Sequence, residues 1–518
     1  MDSQRSSNDA LAGATTPIDS CTQHTLAERR DRIAKRRLIG EPAVGLLRTA
    51  VPAVASLLAD EFRAGSCILR FGLEDILCDE ESGSFALVAD LPRHPIDALP
   101  SGLSLLDNGI YAPELTRQIQ RDLSPRTDVY ALGAVLYSLI TGLEPTPELS
   151  RMVVTGAGGG LPPLRIFEEH LPLGLDPILA RALARLPEER FPDCEAMADA
   201  IEAVFALDAE RRREVIGPRL ETRYAAATHG GIHKSTKNPR NQDRHFCDQT
   251  DGGELGLFVV ADGVTNCDLG TGDRAAEYVA AAAETAWSVL EEHRDDGADL
   301  PRSPLDDLEL GPLLDHVFNG ANEAIAIEAT ELALAQFPDG EVPGDLHVMS
   351  STAVALLKRG REATIANLGD SRVYLIRDEW IDQITVDRDR RTERLRLGQG
   401  LDAIVNASGL GELTTAVGCA TWRRTEVGAC FSPVPIVSDL TTLNLLPGDR
   451  LLVCSDGVPD CIGRDAAARI HEIVTTADCP ARATWNLVAA ANEGGGDDNI
   501  TAILIECTEE EDLTCPKN

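Results

Sequence analysis

Four short acidic islands carry the residue types best able to do chemistry: Asp262-Gly263, Gly369-Asp370-Ser371-Arg372, Ser455-Asp456-Gly457 and Asp497-Asp498-Asn499. Three of them end an apolar, strand-like run, at 257–261, 363–368 and 451–454, and the fourth precedes one at 500–505. Carboxylates gathered at several strand ends repel one another and lose hydration unless a cation neutralises them. A ligand set made only of oxygen suits Mg²⁺ or Mn²⁺ better than zinc. The islands therefore predict a hard divalent-metal site, and metal-assisted hydrolysis is the leading chemistry for it.

The elements that must position the islands are short β-branched runs alternating with turns, from residue 220 to 508. Two long helical patterns interrupt them, at 273–292 and 310–334. Strands packed with two long helices predict an α+β layered domain. Residues 40–207 read instead as mainly helical, with apolar residues at three- and four-residue spacing over 45–62, 128–141, 179–186 and 194–207. The stretch 156–163 is a loop by composition. The charged run 208–213, followed by Gly217-Pro218, reads as the frayed end of a helix or a linker, and 208–219 is assigned as the linker. Residues 1–35, rich in Ser, Thr and Asp, are expected to be disordered, and 509–518 form a tail.

A length of 518 residues favours two or three domains over one core. The net charge of -36 argues against nucleic acid or an anionic membrane as a partner, because both need a basic surface. Most of the surplus Asp and Glu is a solvated face rather than a binding site. The basic residues are overwhelmingly Arg, with lysine only at Lys35, Lys234, Lys237, Lys358 and Lys517. The 13 cysteines show no C-x-x-C pair and no zinc-ligand spacing. No stretch reaches 18 apolar residues, and no signal-peptide core opens the chain, so a cytoplasmic location with reduced thiols is expected.

Taken in order, the islands fall into a longer series. It runs Asn241-Gln242-Asp243, Val259-Val260-Ala261-Asp262-Gly263, Ser350-Ser351-Thr352, Asn367-Leu368-Gly369-Asp370-Ser371-Arg372, Gln383-Ile384-Thr385-Val386-Asp387, Pro447-Gly448-Asp449-Arg450 and Ser455-Asp456-Gly457. Gly494-Gly495-Gly496-Asp497-Asp498-Asn499 closes it. Over residues 220–508 this series resembles the metal-dependent protein phosphatases of the protein phosphatase 2C type, in their bacterial form. The resemblance implies an αββα sandwich with two Mn²⁺ or Mg²⁺ ions in a cleft at one edge. It also implies a phosphorylated protein as substrate, with loss of phosphate from Ser or Thr through a hydroxide held between the ions. By the same resemblance Asp262 bridges both ions, the carbonyl of Gly263 ligates one, and Asp456 and Asp498 complete the other. Asp243 acts through a bound water, and Asp370 takes a third, weaker ion. Two departures stand out. The Arg that the family places before Asn-Gln-Asp is missing, leaving His233 as the candidate phosphate grip and Lys234 and Arg240 as rivals. The family's Asp-His reads here as Asp387-Arg388.

Residues 40–207 resemble the C-terminal lobe of a protein kinase. Tyr111-Ala112-Pro113-Glu114 is similar to the Ala-Pro-Glu motif, Asp128-Val129-Tyr130-Ala131-Leu132-Gly133 to the core helix after it, and Pro187-Glu188-Glu189-Arg190-Phe191 to the late Arg segment. The resemblance implies a buried Glu114–Arg190 ion pair. Ile68-Leu69-Arg70 puts an Arg where the catalytic Asp belongs, Glu74-Asp75-Ile76-Leu77 alters a metal ligand, and Asp90-Leu91-Pro92 stands for Asp-Phe-Gly. Too few residues precede this point for a nucleotide-binding lobe. The expected whole is an α+β phosphatase preceded by a mainly helical pseudokinase, which docks or regulates and engages a cognate kinase or regulator. The competing readings are a phosphatase fold that binds phosphoprotein with little turnover, and a bifunctional kinase and phosphatase. The retained Asp262, Asp456 and Asp498 oppose the first while the missing Arg favours it, and Ile68-Leu69-Arg70 with the absent nucleotide-binding lobe opposes the second.

Overall fold

A computed structural model describes residues 23–25, 42–69, 71–79, 82–96, 111–115, 123–143, 149, 152–153, 160–213, 220–296, 309–344, 346–425 and 428–509. Arg70, most of the segment expected to be disordered at the N-terminus, and nearly all of the tail lie outside them. The chain forms two compact units: residues 1–155 with 178–203, and residues 156–177 with 204–518.

The first unit is built on helices α1 (Pro42–Arg63) and α2 (Pro125–Thr141) and the first part of α3 (Cys194–Arg211). Residues 127–140 of α2 are all buried, so this largely apolar helix runs through the core and is covered on every side. Pro125 opens it and Gly142, in the left-handed conformation, closes it. The Glu114–Arg190 pair is present and fully buried: two parallel N–H···O bonds of 2.8 Å join groups whose side chains are 0% exposed. Asp128 is also buried, beside the Cys67 thiol and the Ile68 backbone, and burial pushes its carboxyl up to about 7. Gln23–Thr25, inside the segment expected to be disordered, adds a strand against Ile76–Asp79.

The second unit is a four-layer sandwich. Its strands are β1 (Leu220–His229), β2 (Asp243–Gln249), β3 (Leu255–Asp262), β4 (Ala353–Arg359), β5 (Glu362–Leu368), β6 (Arg372–Ile376), β7 (Ile381–Gln383), β8 (Ala420–Thr425), β9 (Gly428–Pro433), β10 (Asp439–Asn444), β11 (Arg450–Cys454) and β12 (Ile500–Glu509). One antiparallel sheet has the order β10-β5-β4-β3-β2 and the other β7-β6-β11-β12-β1, while β8 and β9 form a separate hairpin.

Strand alternation sets the layers. Leu257, Val259 and Ala261 of β3 face the long helices α4 (Gly272–Asp296) and α5 (Leu310–Gln336), with Trp287, Leu314 and Phe318. Phe258 and Val260 face the opposite way and meet Val373, Val453 and Ile503 of the other sheet. The outer face of that second sheet, with Leu452, Cys454, Ala502 and Leu504, is covered by α8 (Ala466–Thr476) and α9 (Pro480–Glu493). The predicted αββα architecture is therefore the observed one, and the central strands of each sheet are buried on both faces.

The units do not divide at the composition break at 208–219. The charged run 208–211 completes α3, and Arg211 is only 5% exposed. Its guanidinium forks onto Asp449 at 2.6 and 2.8 Å, in the turn before β11. Residues 160–177 also belong to the sandwich: Asp382 of β7 accepts a 2.6 Å bond from the buried Gly174 N–H. Among the described residues no helix is long and apolar enough to cross a membrane.

Candidate active site

The site lies where two strand pairs end. In the β2–β3 ladder Asp243 stands directly opposite Asp262, so two carboxylates face each other across the strands. Like charges in that position destabilise a sheet. From the second sheet, β11 ends at Cys454 and delivers Asp456 at the start of the short helix α7 (Gly457–Ile462). Asp498 arrives just before β12, which pairs with β11.

Polar side chains hold the ends of the two sheets together. Ser455 Oγ donates to Asp243 Oδ2 at 2.8 Å and accepts from the Thr501 N–H at 3.0 Å. Asn499 Oδ1 accepts the Gln242 N–H at 3.0 Å, and its amide donates to Gly230 O at 3.0 Å. Thr352 Oγ1 accepts the Asp262 N–H at 3.0 Å and lies 2.7 Å from Ser371 Oγ. Gly263 follows Asp262, and its N–H donates to Gln242 O at 3.2 Å. A Cβ there would lie 2.2 Å from the Gly272 backbone at the start of α4, so only glycine allows that approach.

The electrostatics are those of crowded acids. Asp262 is pushed well above the ordinary carboxylate range, first by burial and then by the charges of Asp243, Asp456 and Asp498. Asp456 is likewise driven well up by burial, then by Asp370, Asp460 and Asp498. Burial raises Asp243 to about 6. Asp370 rises to about 7, through burial and the nearby Asp387 charge, while Arg372 pulls the other way. Arg372 itself is forked onto Asp387 at 2.8 and 3.0 Å.

The residues meet the chemistry of a hard cation. Asp243 Oδ1 and Asp456 Oδ1 are buried with no donor among the described residues. Acceptor oxygens in that condition are costly unless a cation or water meets them. Among the described residues no three His, Cys, Asp or Glu side chains close around one point, so the acids converge without forming a finished cage. The donor type fits an ion, and what the set lacks is closure.

Asp243, Asp262, Asp456 and Asp498 are thus brought together, with Gly263 beside Asp262 and Asp370 reaching Asp456 by its charge. His233 takes another direction. It is 53% exposed, and its Nδ1 lies 2.7 Å from Oδ1 of the exposed Asp497. Arg240 is 66% exposed and 3.8 Å from Asp273. The residue actually delivered to the acids is Lys234, whose Nζ lies 2.6 Å from Asp498 Oδ1. Burial works to lower its pKa, but the bond to Asp498 and the charges of Asp498, Asp262 and Asp456 hold it above the usual lysine value. Sequence reasoning missed the clamps Ser455 and Asn499, although each sits next to a predicted Asp; adjacency to the islands was the available signal.

Residues 230–482 match the model of the family described as protein phosphatase 2C. Over 287 residues the chain is 25% identical to the serine/threonine protein phosphatase PstP of Mycobacterium tuberculosis, covering 55% of this chain and 45% of PstP. Over 164 residues it is 34% identical to the protein phosphatase PhpP of Streptococcus pneumoniae, covering 32% of this chain and 60% of PhpP. The chain therefore spans about half the length of these curated relatives. A solved structure of the PstP catalytic domain in complex with two manganese ions is similar at 25% identity and a TM-score of 0.39, covering 56% of this chain and all of that one. Residues 230–482 of the chain are thus similar to the protein phosphatase 2C family.

Proposed function

We propose that the protein is a Mn²⁺- or Mg²⁺-dependent phosphatase acting on phosphoserine and phosphothreonine in proteins. The observation that carries this reading is the convergence of Asp243, Asp262, Asp456 and Asp498, with two buried carboxylate oxygens lacking a donor. Asp262, Asp456, Asp498 and the Gly263 carbonyl would hold the ions, with Asp370 as the place for a third. When bound, such ions supply Lewis acidity and an activated water. The chain's own part is positional. Ser455 fixes one oxygen of Asp243 and leaves the other to orient a water. Thr352 and Ser371 fix the strand end that presents Asp262. Lys234 stands nearest the acids and replaces the missing Arg as the phosphate grip, ahead of His233.

The first unit is proposed to be a pseudokinase that docks or regulates, engaging a kinase or regulator in a cytoplasmic setting. The buried Glu114–Arg190 fork and Asp128 placed against Cys67 and Ile68 support a kinase-lobe likeness. Transfer of labelled phosphate from ATP by the intact Asp456→Ala protein would overturn that part. The phosphatase reading is tested by release of phosphate from a phosphothreonine peptide with Mn²⁺ and with EDTA. Turnover that ignores EDTA contradicts it.

A further inference from the structure

Lysine is scarce in this chain, and one of its five lysines is aimed into the acids. The loop that carries Lys234 is latched to the segment before β12. The N–H groups of His233 and Lys234 both donate to Gly496 O at 2.9 Å, and the Ile232 N–H donates to Asn492 Oδ1 at 2.8 Å. Gly231 makes the latch possible. Its φ is +73°, and a Cβ there would lie 2.1 Å from Asp498 O and 2.7 Å from Gly496 O. The one-turn helix Lys234–Lys237 that follows therefore starts against the Asp498 backbone.

The ammonium is 2.6 Å from Asp498 Oδ1, on a side chain only 17% exposed, so it neutralises part of the acidic group. A divalent ion held by Asp498 would draw on the same carboxylate that the ammonium now neutralises, and two cations on one carboxylate repel each other. Lysine suits such a displaceable role, being a compact charge on a flexible stem, whereas an arginine fork would bind the carboxylate in a fixed plane.

We infer that Lys234 is a resident cation that competes with the divalent ion for Asp498 and must swing away when the ion enters. This rests on the metal-dependent reading above. Its consequence is a built-in threshold: the site loads only where the ion outcompetes the ammonium, and loading frees that ammonium for the incoming phosphate.

The test is Mn²⁺ binding to the full chain by titration calorimetry, comparing the wild type with Lys234→Met and Lys237→Met. Lys237 lies one turn on and is exposed, so it reports the general effect of losing one positive charge. The inference expects Lys234→Met to bind Mn²⁺ roughly tenfold more tightly, a change the size of one pKa unit of coupling, and Lys237→Met to stay within about twofold. Unchanged or weaker binding by Lys234→Met, or equal tightening by both, overturns it and leaves the phosphatase reading standing. Absence of Mn²⁺ binding by every form overturns both. A second measurement needs no variant: amine labelling of the wild-type chain read by mass spectrometry. Mn²⁺ is expected to speed labelling of Lys234 severalfold relative to Lys237, and no change contradicts the inference.

Discussion

Arg211 gives the sharpest test of where the second unit begins. Its side chain is 5% exposed, and Asp449, its partner, is 0% exposed. Asp449 accepts two bonds from Arg211, one from the Leu446 N–H and one from Arg377. Arg211 also donates to Asn444 O, and the Asn444 amide returns a bond to Arg211 O, both at 2.8 Å. Replacing Arg211 with Met keeps most of the apolar stem but removes the charge. Taking one partner from a buried ion pair costs about 3–5 kcal/mol, because the remaining charge stays in a dry site. Arg377 still reaches Asp449, so the lower end applies. For a unit of roughly 300 residues the unfolding entropy is about 0.6 kcal/mol per degree, so ~3 kcal/mol lowers Tm by ~5 °C. Differential scanning calorimetry of the full chain reads this. Adding Asp449→Leu to Arg211→Met is expected to recover part of the loss, since no charge is then stranded. A Tm drop below about 1 °C for Arg211→Met refutes the claim that the end of α3 is riveted to the sandwich.

Three further outcomes follow from the same geometry. Glu114→Ala strands the fully buried Arg190 and is expected to destabilise the first unit by about 3–5 kcal/mol, seen as an earlier urea transition. Gly231→Ala forces a Cβ into the Asp498 carbonyl, so Mn²⁺-dependent phosphate release is expected to fall at least tenfold while the first unit's transition stays in place. The third concerns pH. Asp243, at about 6, and Asp370, at about 7, have folded-state values raised above those of the unfolded chain, so the folded protein holds their protons longer. That stability is complete below pH ~4 and is lost as pH rises toward 7, about 3 kcal/mol for Asp243 alone. In EDTA the second unit's Tm should therefore fall from pH 5 to 7.5, with a shallower fall in Asp243→Asn; a Tm that rises over this range contradicts the burial argument.

Much of the sandwich was legible because its strands are apolar on both faces. The run 257–261 reads as unbroken because Leu257 and Val259 face the helices while Phe258 and Val260 face the other sheet. The long helices at 273–292 and 310–334 were visible by period and extend only a few residues further, to Gly272–Asp296 and Leu310–Gln336. The helix expected at 179–186 begins earlier, at Leu175, because Pro177 is tolerated in a first turn. The attachment of 204–211 to the sandwich was not legible: Arg211 and Asp449 are 238 positions apart, and each alone reads as a surface charge.

The acidic ligands were legible because each closes or opens a strand. The cation beside them was not. His233 and Lys234 are neighbours in the same loop, and only the latch through Gly231 and Gly496 decides that His233 turns to Asp497 while Lys234 turns inward. Likewise Ser455 could be seen as part of an island, but its bond to Asp243 joins residues 212 positions apart.

The central claim is that these carboxylates form a working metal centre. The most direct measurement is phosphate release from a phosphothreonine peptide by the intact protein in Mn²⁺, set beside EDTA and beside Asp456→Ala in Mn²⁺. The account predicts turnover with Mn²⁺ that EDTA abolishes and Mn²⁺ excess restores, and a loss of at least a hundredfold in Asp456→Ala. No metal-dependent turnover in the intact protein, or full activity in Asp456→Ala, would contradict it.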